Sequence, residues 1–104
     1  MGKTLQTFVA YAIGAHTISD STVGISNTNF GWTTGQLAAA QVAEVAAFSQ
    51  GLVISFCGVD PAATKGIPVP VNTTYRILGQ PNIANLRLLR AGSTDAVASI
   101  QLEK

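Results

Sequence analysis

Charge is scarce in this sequence. Charged side chains make up 11% of its 104 residues, whereas about 25% is usual for a soluble domain. Six Lys and Arg residues against five Asp and Glu residues leave a net charge of +1. Because a near-neutral surface favours association, the composition predicts that much of the surface contacts other protein. A neutral surface rich in Thr, Ser and Asn that simply keeps the chain dissolved is the alternative.

The few basic residues form no run that could follow a phosphate backbone. Only Arg87 and Arg90 are close neighbours, and strand alternation would place them on opposite faces. We expect each of them to pair with a nearby carboxylate or carbonyl group. The sequence therefore predicts no nucleic-acid partner.

Reactive side chains are equally scarce. The single Cys57 cannot form an internal disulfide, which favours synthesis in a reducing compartment, and we expect it to be a small buried hydrophobe. His16 is the only imidazole, and no Gly-x-Ser-x-Gly motif presents a nucleophile. The five carboxylates are dispersed, and no glycine-rich loop ends in Gly-Lys-Ser/Thr. The sequence predicts no enzyme activity, no cofactor and no metal site.

No apolar run approaches the roughly 20 residues of a membrane-spanning helix, so we expect no membrane partner. Lys3 followed by the apolar residues 8–15 faintly resembles a signal peptide, but Gln6 and Thr7, which lie between them, interrupt the apolar run. A first β-strand is the better interpretation. Its alternation places Leu5, Val9, Tyr11 and Ile13 on one face.

The last thirty residues indicate three β-strands, at residues 73–78, 83–90 and 96–103, separated by turn residues. The final strand alternates cleanly, because Ala96, Ala98, Ile100 and Leu102 share one face. Further strands are predicted at residues 22–25 and 52–57. Residues 67–71 can form only an edge strand, since Pro68 and Pro70 cannot donate backbone hydrogen bonds.

Residues 36–48 fit either a helix or a strand. The Ala-rich composition favours a helix with Thr34 as its N-cap. The alternative is a hairpin in which residues 42–48 pair with residues 52–57 across a Gly-bearing turn. We favour a strand at residues 41–49, preceded by one helical turn.

Together these elements predict an all-β fold. We expect a single domain over residues 1–104, built as an antiparallel β-sandwich of jelly-roll or immunoglobulin-like type with about seven or eight short strands.

Two large aromatic residues, Phe30 and Trp32, lie in the polar loop at residues 26–35. They can anchor a partner protein or a sugar, or they can fold back to cover one end of the sandwich. If one of the two is exposed, we expect Trp32 to be an interface residue. The candidate interface residues are Phe8, Phe30, Trp32, Pro68 and Pro70.

Residues 83–96 read Ile-Ala-Asn-Leu-Arg-Leu-Leu-Arg-Ala-Gly-Ser-Thr-Asp-Ala. This segment resembles the ending of a group of small β-sandwich virion proteins of tailed bacteriophages, in which an Ile-x-Asn-Phe-Arg-like strand leads to an Arg-x-Gly turn and a closing Ala-x-x-x-Val strand. Residues 52–61 and Gly66 are similar to the centre of that group. The chain departs from the group at residues 57–61, where the group reads Asp-Gly-Thr, and in the Ala-rich insertion before Val42.

The resemblance spans residues 17–103, with its specific part at residues 83–102. It implies a non-enzymatic structural protein of the virion, assembled in the host cytoplasm, that decorates or cements a capsid. Its partners would be the major capsid protein or other virion subunits, and further copies of itself in a trimer or another symmetric ring. A tail, connector or head-completion component is an alternative. A carbohydrate-binding module is another, which would display Phe30, Trp32, Asn27 and Asn29 on one surface.

Overall fold

The structure, a computed structural model, describes residues 7–104. Over that range the chain forms short strands connected by turns and by two brief α-helices. In chain order the elements are β1 (Ala10–Ile18), β2 (Val23–Gly24), a 3-10 helix (Thr28–Phe30), α1 (Thr34–Ala39), β3 (Val42–Phe48), β4 (Leu52–Ser55), β5 (Ile67–Val69), β6 (Thr74–Leu78), α2 (Gln80–Ala84), β7 (Arg87–Arg90) and β8 (Ala96–Glu103).

The strands form two antiparallel four-stranded sheets, which confirms the predicted all-β sandwich. We call the sheet with the order β1-β8-β3-β6 the front sheet, and the sheet with the order β2-β7-β4-β5 the back sheet. The pairs are nested, because β1 pairs with β8, β2 with β7, β3 with β6 and β4 with β5. This is the strand order of a jelly roll rather than of an immunoglobulin domain.

The core lies between the sheets, and the front sheet contributes small side chains to it. The alternation predicted for the last strand is confirmed, since Ala96, Ala98, Ile100 and Leu102 are each fully buried. Four fully buried inward residues of the front sheet are alanines: Ala43, Ala47, Ala96 and Ala98. The back sheet supplies larger ones to the same cluster: Leu52, Ile54, Leu88 and Val69. Small side chains that face large ones allow the two layers to interdigitate.

The ambiguous segment contains both predicted elements. Helix α1 precedes strand β3, as the prediction of one helical turn before a strand requires. The N-cap is Thr33 rather than Thr34, and it forms a capping box with Gln36. The Thr33 hydroxyl accepts from the Gln36 backbone N–H at 3.1 Å, and the Gln36 amide oxygen accepts from the Thr33 N–H at 2.8 Å.

The predicted hairpin between residues 42–48 and 52–57 is wrong. Strand β3 pairs with β6 and β8 in the front sheet, whereas β4 pairs with β5 and β7 in the back sheet. The short connection between them crosses from one sheet to the other, with Ser49 in a left-handed conformation at φ 69°. The crossing sets the inner faces of β3 and β4 on opposite sides of the core, where both become buried.

The single strand predicted at residues 83–90 is also wrong in its first half. Residues 80–84 form helix α2, and only Arg87–Arg90 is extended. Pro81 lies in the first turn of α2, where its missing N–H would have no intrahelical partner in any case. The helix carries the chain from β6 in the front sheet to β7 in the back sheet, so β6 and β7 are not paired with each other.

The faces predicted for the first strand are reversed at Ile13, whose side chain is 70% exposed. A β-bulge lies between Ala10 and Ala12, so Tyr11 is an extra residue in the pairing with β8. Beyond the bulge, Ala12, Gly14 and Ile18 face inward. Leu5 lies outside the described residues.

Three smaller predictions can be compared with the structure. Strand β5 is an edge strand, as predicted from its prolines. The predicted ion pairs are present, joining Arg87 to Asp60 and Arg90 to Asp95. The prediction for Cys57 is wrong: β4 ends at Ser55, and Cys57 lies exposed in the following turn.

Candidate protein-interaction surface

The outward side of the front sheet carries few charged groups. We call it the outer front face, and we define it by the outward residues of its four strands. These are Ile13, Ala15 and Thr17 of β1, Val97, Ser99, Gln101 and Glu103 of β8, Val42, Glu44, Ala46 and Phe48 of β3, and Thr74, Arg76 and Leu78 of β6.

A row of small side chains crosses the middle of this face. The registers place Ala15, Ser99, Ala46 and Thr74 side by side on the four neighbouring strands. Side chains opposite each other in neighbouring strands lie about 4.5–5.5 Å apart at Cβ. The row is therefore a flat strip that another surface can approach closely.

Two large apolar side chains flank the strip at opposite corners. Ile13 on β1 is 70% exposed, and Phe48 at the end of β3 is 46% exposed. Val97 pairs with Phe48 and with Thr17, so the row at that end is uncharged. The open side of an antiparallel sheet normally carries polar residues, and apolar residues in this arrangement are typical of a surface that contacts a partner.

The charged groups of the outer front face are gathered at one end. The Arg76 guanidinium lies 3.5 Å from a Glu44 carboxylate oxygen and 3.8 Å from one of Glu103. It also lies 5.9 Å from the centroid of the Phe8 ring. At this end Val42 is fully buried although it points outward, and it is not part of the core cluster. Arg76 therefore lies between two carboxylates, and the small-residue strip itself carries no charged side chain.

The outward side of the back sheet has a different arrangement, because the chain covers it with its own loop. Val53 points away from the core, yet only 4% of it is exposed. The covering segment is residues 56–66, which we call the cover loop. Gly66 lies so close that a Cβ there would be 2.8 Å from the Val53 side chain and 2.8 Å from the Ile54 carbonyl oxygen.

Polar contacts fasten the cover loop to the sheet. The Asp60 carboxylate pairs with the Arg87 guanidinium on β7, and the Ser55 hydroxyl donates to the Val59 carbonyl. Pro61, within the loop, is itself buried. The outer side of the back sheet is therefore closed by the protein itself.

The two aromatic residues predicted as interface candidates fold back onto the sandwich. Phe30 is 4% exposed, and its ring stacks on Trp32 at 5.1 Å between centroids with an interplanar angle of 6°. The Trp32 indole N–H donates to the Ile25 carbonyl oxygen at 2.9 Å. A Cβ on Gly14 would be 2.2 Å from the Phe30 carbonyl oxygen, so glycine is required where this loop packs against β1. Phe30 is thus part of the core, and Trp32 is half-buried beside it.

The other predicted interface residues do not form one surface. Phe8 is half-buried at the charged end of the outer front face, whereas Pro68 and Pro70 are exposed at the β5 edge of the back sheet.

Sequence reasoning missed Ile13, Ala15, Ala46 and Phe48 as interface candidates. The available signal was Glu44, which shares its strand face with Ala46 and Phe48 and marks that face as outward.

Other possible chemistry in residues 7–104 is sparse. A polar cleft of about 340 Å³ beside β2 and β7 is lined by Asp60, Arg87, Asn85 and six further residues, none of them aromatic. In the described part of the chain, no three His, Cys, Asp or Glu side chains lie close enough to hold a metal ion. Burial raises the pKa of the Tyr11 phenol above its ordinary value of 10.0, and its hydroxyl donates to the Gln36 carbonyl.

No helix within residues 7–104 is long and apolar enough to cross a membrane.

No protein-family model, no curated protein and no solved structure matches this chain.

Proposed function

We propose that this protein is a structural component of a tailed-bacteriophage particle, which decorates or cements the capsid by binding shell subunits and further copies of itself. The observation that carries the proposal is the uncharged, flat strip of the outer front face, with Ile13 and Phe48 exposed on either side of it. Such a strip is suited to burial against another protein, and a single arginine, Arg76, does not form the basic patch of a nucleic-acid site.

Three further features support this role. The charged fraction of 11% leaves little electrostatic repulsion between neighbouring subunits. Jelly rolls recur in capsid proteins, and they also occur in lectins, so the fold supports the proposal by analogy only. The resemblance of residues 83–96 to phage virion proteins points the same way, although residues 83–84 belong to helix α2 rather than to a strand.

Mechanistically, the outer front face would lie on the shell and the cover loop would point away from it. A stable contact of this kind buries roughly 800 Å² on each partner. Repetition of a weak contact around a symmetric shell would multiply its effect, because each bound copy raises the effective concentration of the next contact.

Quantitative mass spectrometry of purified particles, separated into heads and tails, tests the assignment. We expect this chain in the head fraction at a copy number comparable to that of the major shell protein. A few copies in the tail or portal fraction would favour the connector alternative. Absence from particles would contradict the proposal and favour the carbohydrate-binding alternative, for which loss of glycan binding on Trp32→Ala would be the supporting result.

A matched pair of variants tests the surface. Ala46→Lys places a charge in the middle of the flat strip, and Thr64→Lys places the same charge on the cover loop of the opposite side. We expect Ala46→Lys to reduce binding to particles that lack this protein by about tenfold or more, because a buried unpaired charge is costly. Thr64→Lys should bind like the unmodified protein. Equal binding by both variants would assign the contact to another surface.

A further inference from the structure

We propose that the free edge of strand β1 pairs antiparallel with β1 of a second copy, joining two front sheets into one continuous sheet across a two-fold axis. The inference deepens the proposed function, and it rests on that function only for the role of self-association. The pairing itself is a property of the isolated protein and can be measured without a particle.

The four sheet edges differ in how well they are protected. In the back sheet, β2 has two residues and β5 has three, one of them Pro68. In the front sheet, β6 has five residues and carries Arg76. By contrast, β1 is nine residues long and contains no proline, lysine, arginine or carboxylate. Natural proteins usually protect exposed edges with short strands, prolines, charges or β-bulges. Of these devices β1 has only the bulge near its start.

The backbone of this edge has no partner in the described part of the chain. Strand β1 bonds to β8 along one side, and no loop or cap within residues 7–104 donates to, or accepts from, its other side. The N–H and C=O groups of that side are therefore free to bind another strand.

The strand that we propose to pair with this edge is β1 of a second copy. A two-fold axis makes the two strands antiparallel: the residue on the axis faces its own counterpart, and every other contact between two positions occurs twice. The bulge ends at Ala12, so the regular part of the strand is residues 12–18. Pairing along all of it centres the axis on Ala15, which places Ile13 opposite Thr17 of the second copy. Because β1 carries no lysine, arginine or carboxylate, no two such charges face each other across the pair.

The size of the contact sets its strength. Seven paired residues span about 24 Å at the rise of an antiparallel strand. The pairing buries less than the roughly 800 Å² per partner of a standard interface, so we expect dissociation constants in the micromolar range. The combined sheet would present two outer front faces side by side.

Sedimentation velocity and hydrogen exchange test the pairing with charge-complementary variants. We expect the unmodified protein to dimerise between about 5 and 500 μM, the range expected for a small interface. Over the same range, amides of residues 12–18 should become protected. Ala15→Lys alone and Ala15→Glu alone should each weaken the dimer by about tenfold or more, because two like charges would face each other. An equal mixture of the two variants should restore it.

The matched controls are Thr74→Lys and Thr74→Glu, which lie in the same cross-strand row at the opposite edge. Both positions are exposed, so circular dichroism should show all four variants folded. Thr74 variants that dimerise like the unmodified protein would support pairing through β1. Equal loss in both sets, an unmodified protein that stays monomeric, or a mixture that does not recover would overturn the inference. Dimers in solution without binding to particles would contradict the capsid role alone.

Discussion

The outward sides of the two sheets differ in how their apolar residues are covered. On the back sheet the cover loop folds over Val53, which is 4% exposed although it points away from the core. On the front sheet Ile13 and Phe48 remain open, at 70% and 46% exposure. The chain buries one outward valine on each side, Val42 in front and Val53 behind, but only the front sheet leaves large apolar strand residues exposed.

Under the proposed function, the front sheet is the side on which we expect a partner. Leaving large apolar groups in water is unfavourable, at roughly 25 cal/mol per Å², and the cover loop removes that penalty on the back sheet. On the front sheet Val42 is covered at the charged end, but Ile13 and Phe48 stay exposed, and the small side chains of the strip between them are too short to shield them. A second molecule would supply the missing cover.

Displacing the cover loop should have the largest effect on stability. Gly66→Ala combines a φ of +137° with a Cβ 2.8 Å from the Ile54 carbonyl oxygen, so we expect the free energy of unfolding to fall by about 2–4 kcal/mol. Urea unfolding measures this, and binding of a hydrophobic dye should rise as Val53 is uncovered.

Gly58→Ala is the control for this change. Its φ is +83°, but no heavy atom lies within 4 Å of the added Cβ. It should therefore show the backbone strain alone, about 1–2 kcal/mol. If both substitutions cost the same, close packing of the cover loop on the back sheet is not what requires glycine at position 66.

Truncating one apolar residue on each side compares the two faces directly. Val53→Ala should lower the free energy of unfolding by about 1.5–2.5 kcal/mol, since it removes buried methyl groups and leaves a cavity. Phe48→Ala removes a larger side chain but should cost less than about 1 kcal/mol, because that ring is half exposed. Chemical denaturation of both variants gives the comparison, and a larger loss for Phe48→Ala would show that the front face is covered.

The smallest effect is expected from the ion pair that fastens the cover loop. A double-mutant cycle with Asp60→Asn and Arg87→Gln should give about 0.2–1 kcal/mol, because both side chains are largely exposed. High salt should reduce that value, while hydrogen exchange of the cover loop should rise in Asp60→Asn. The matched control is Asp95→Asn, which breaks the 2.8 Å pair with Arg90 away from the loop. Faster exchange of the cover loop in that control would contradict a fastening role for Asp60.

Local patterns located most of the strands but not their partners. The alternation at residues 96–103 identified the inward face of β8, and Pro68 marked an edge. The hairpin between β3 and β4 was wrong because a short turn can either pair two strands or pass the chain to the other sheet. The strand at residues 83–90 was wrong because Pro81 reads equally as a breaker or as the start of a helix.

The candidate surface was only partly accessible from the sequence. Low charge predicted a surface that contacts protein, but the residues singled out for it were three aromatics and two prolines, and Phe30 proved to be buried. An aromatic residue in a loop gives no indication of whether a neighbouring strand leaves room for it. Here Gly14 provides that room, and its role depends on the approach of the Phe30 backbone.

The sequence by itself determined the all-β class, the periodic faces of the best strands and the shortage of charge. Composition and local alternation are enough for these properties, and no contact between distant segments is needed. The tertiary structure alone decided which strands are neighbours, which edge is free and which outward face is covered. Those outcomes depend on contacts between distant segments, such as Gly66 against Val53 and β1 against β8. Alternation defines two faces for every strand, but only the packed fold selects the one that stays in water.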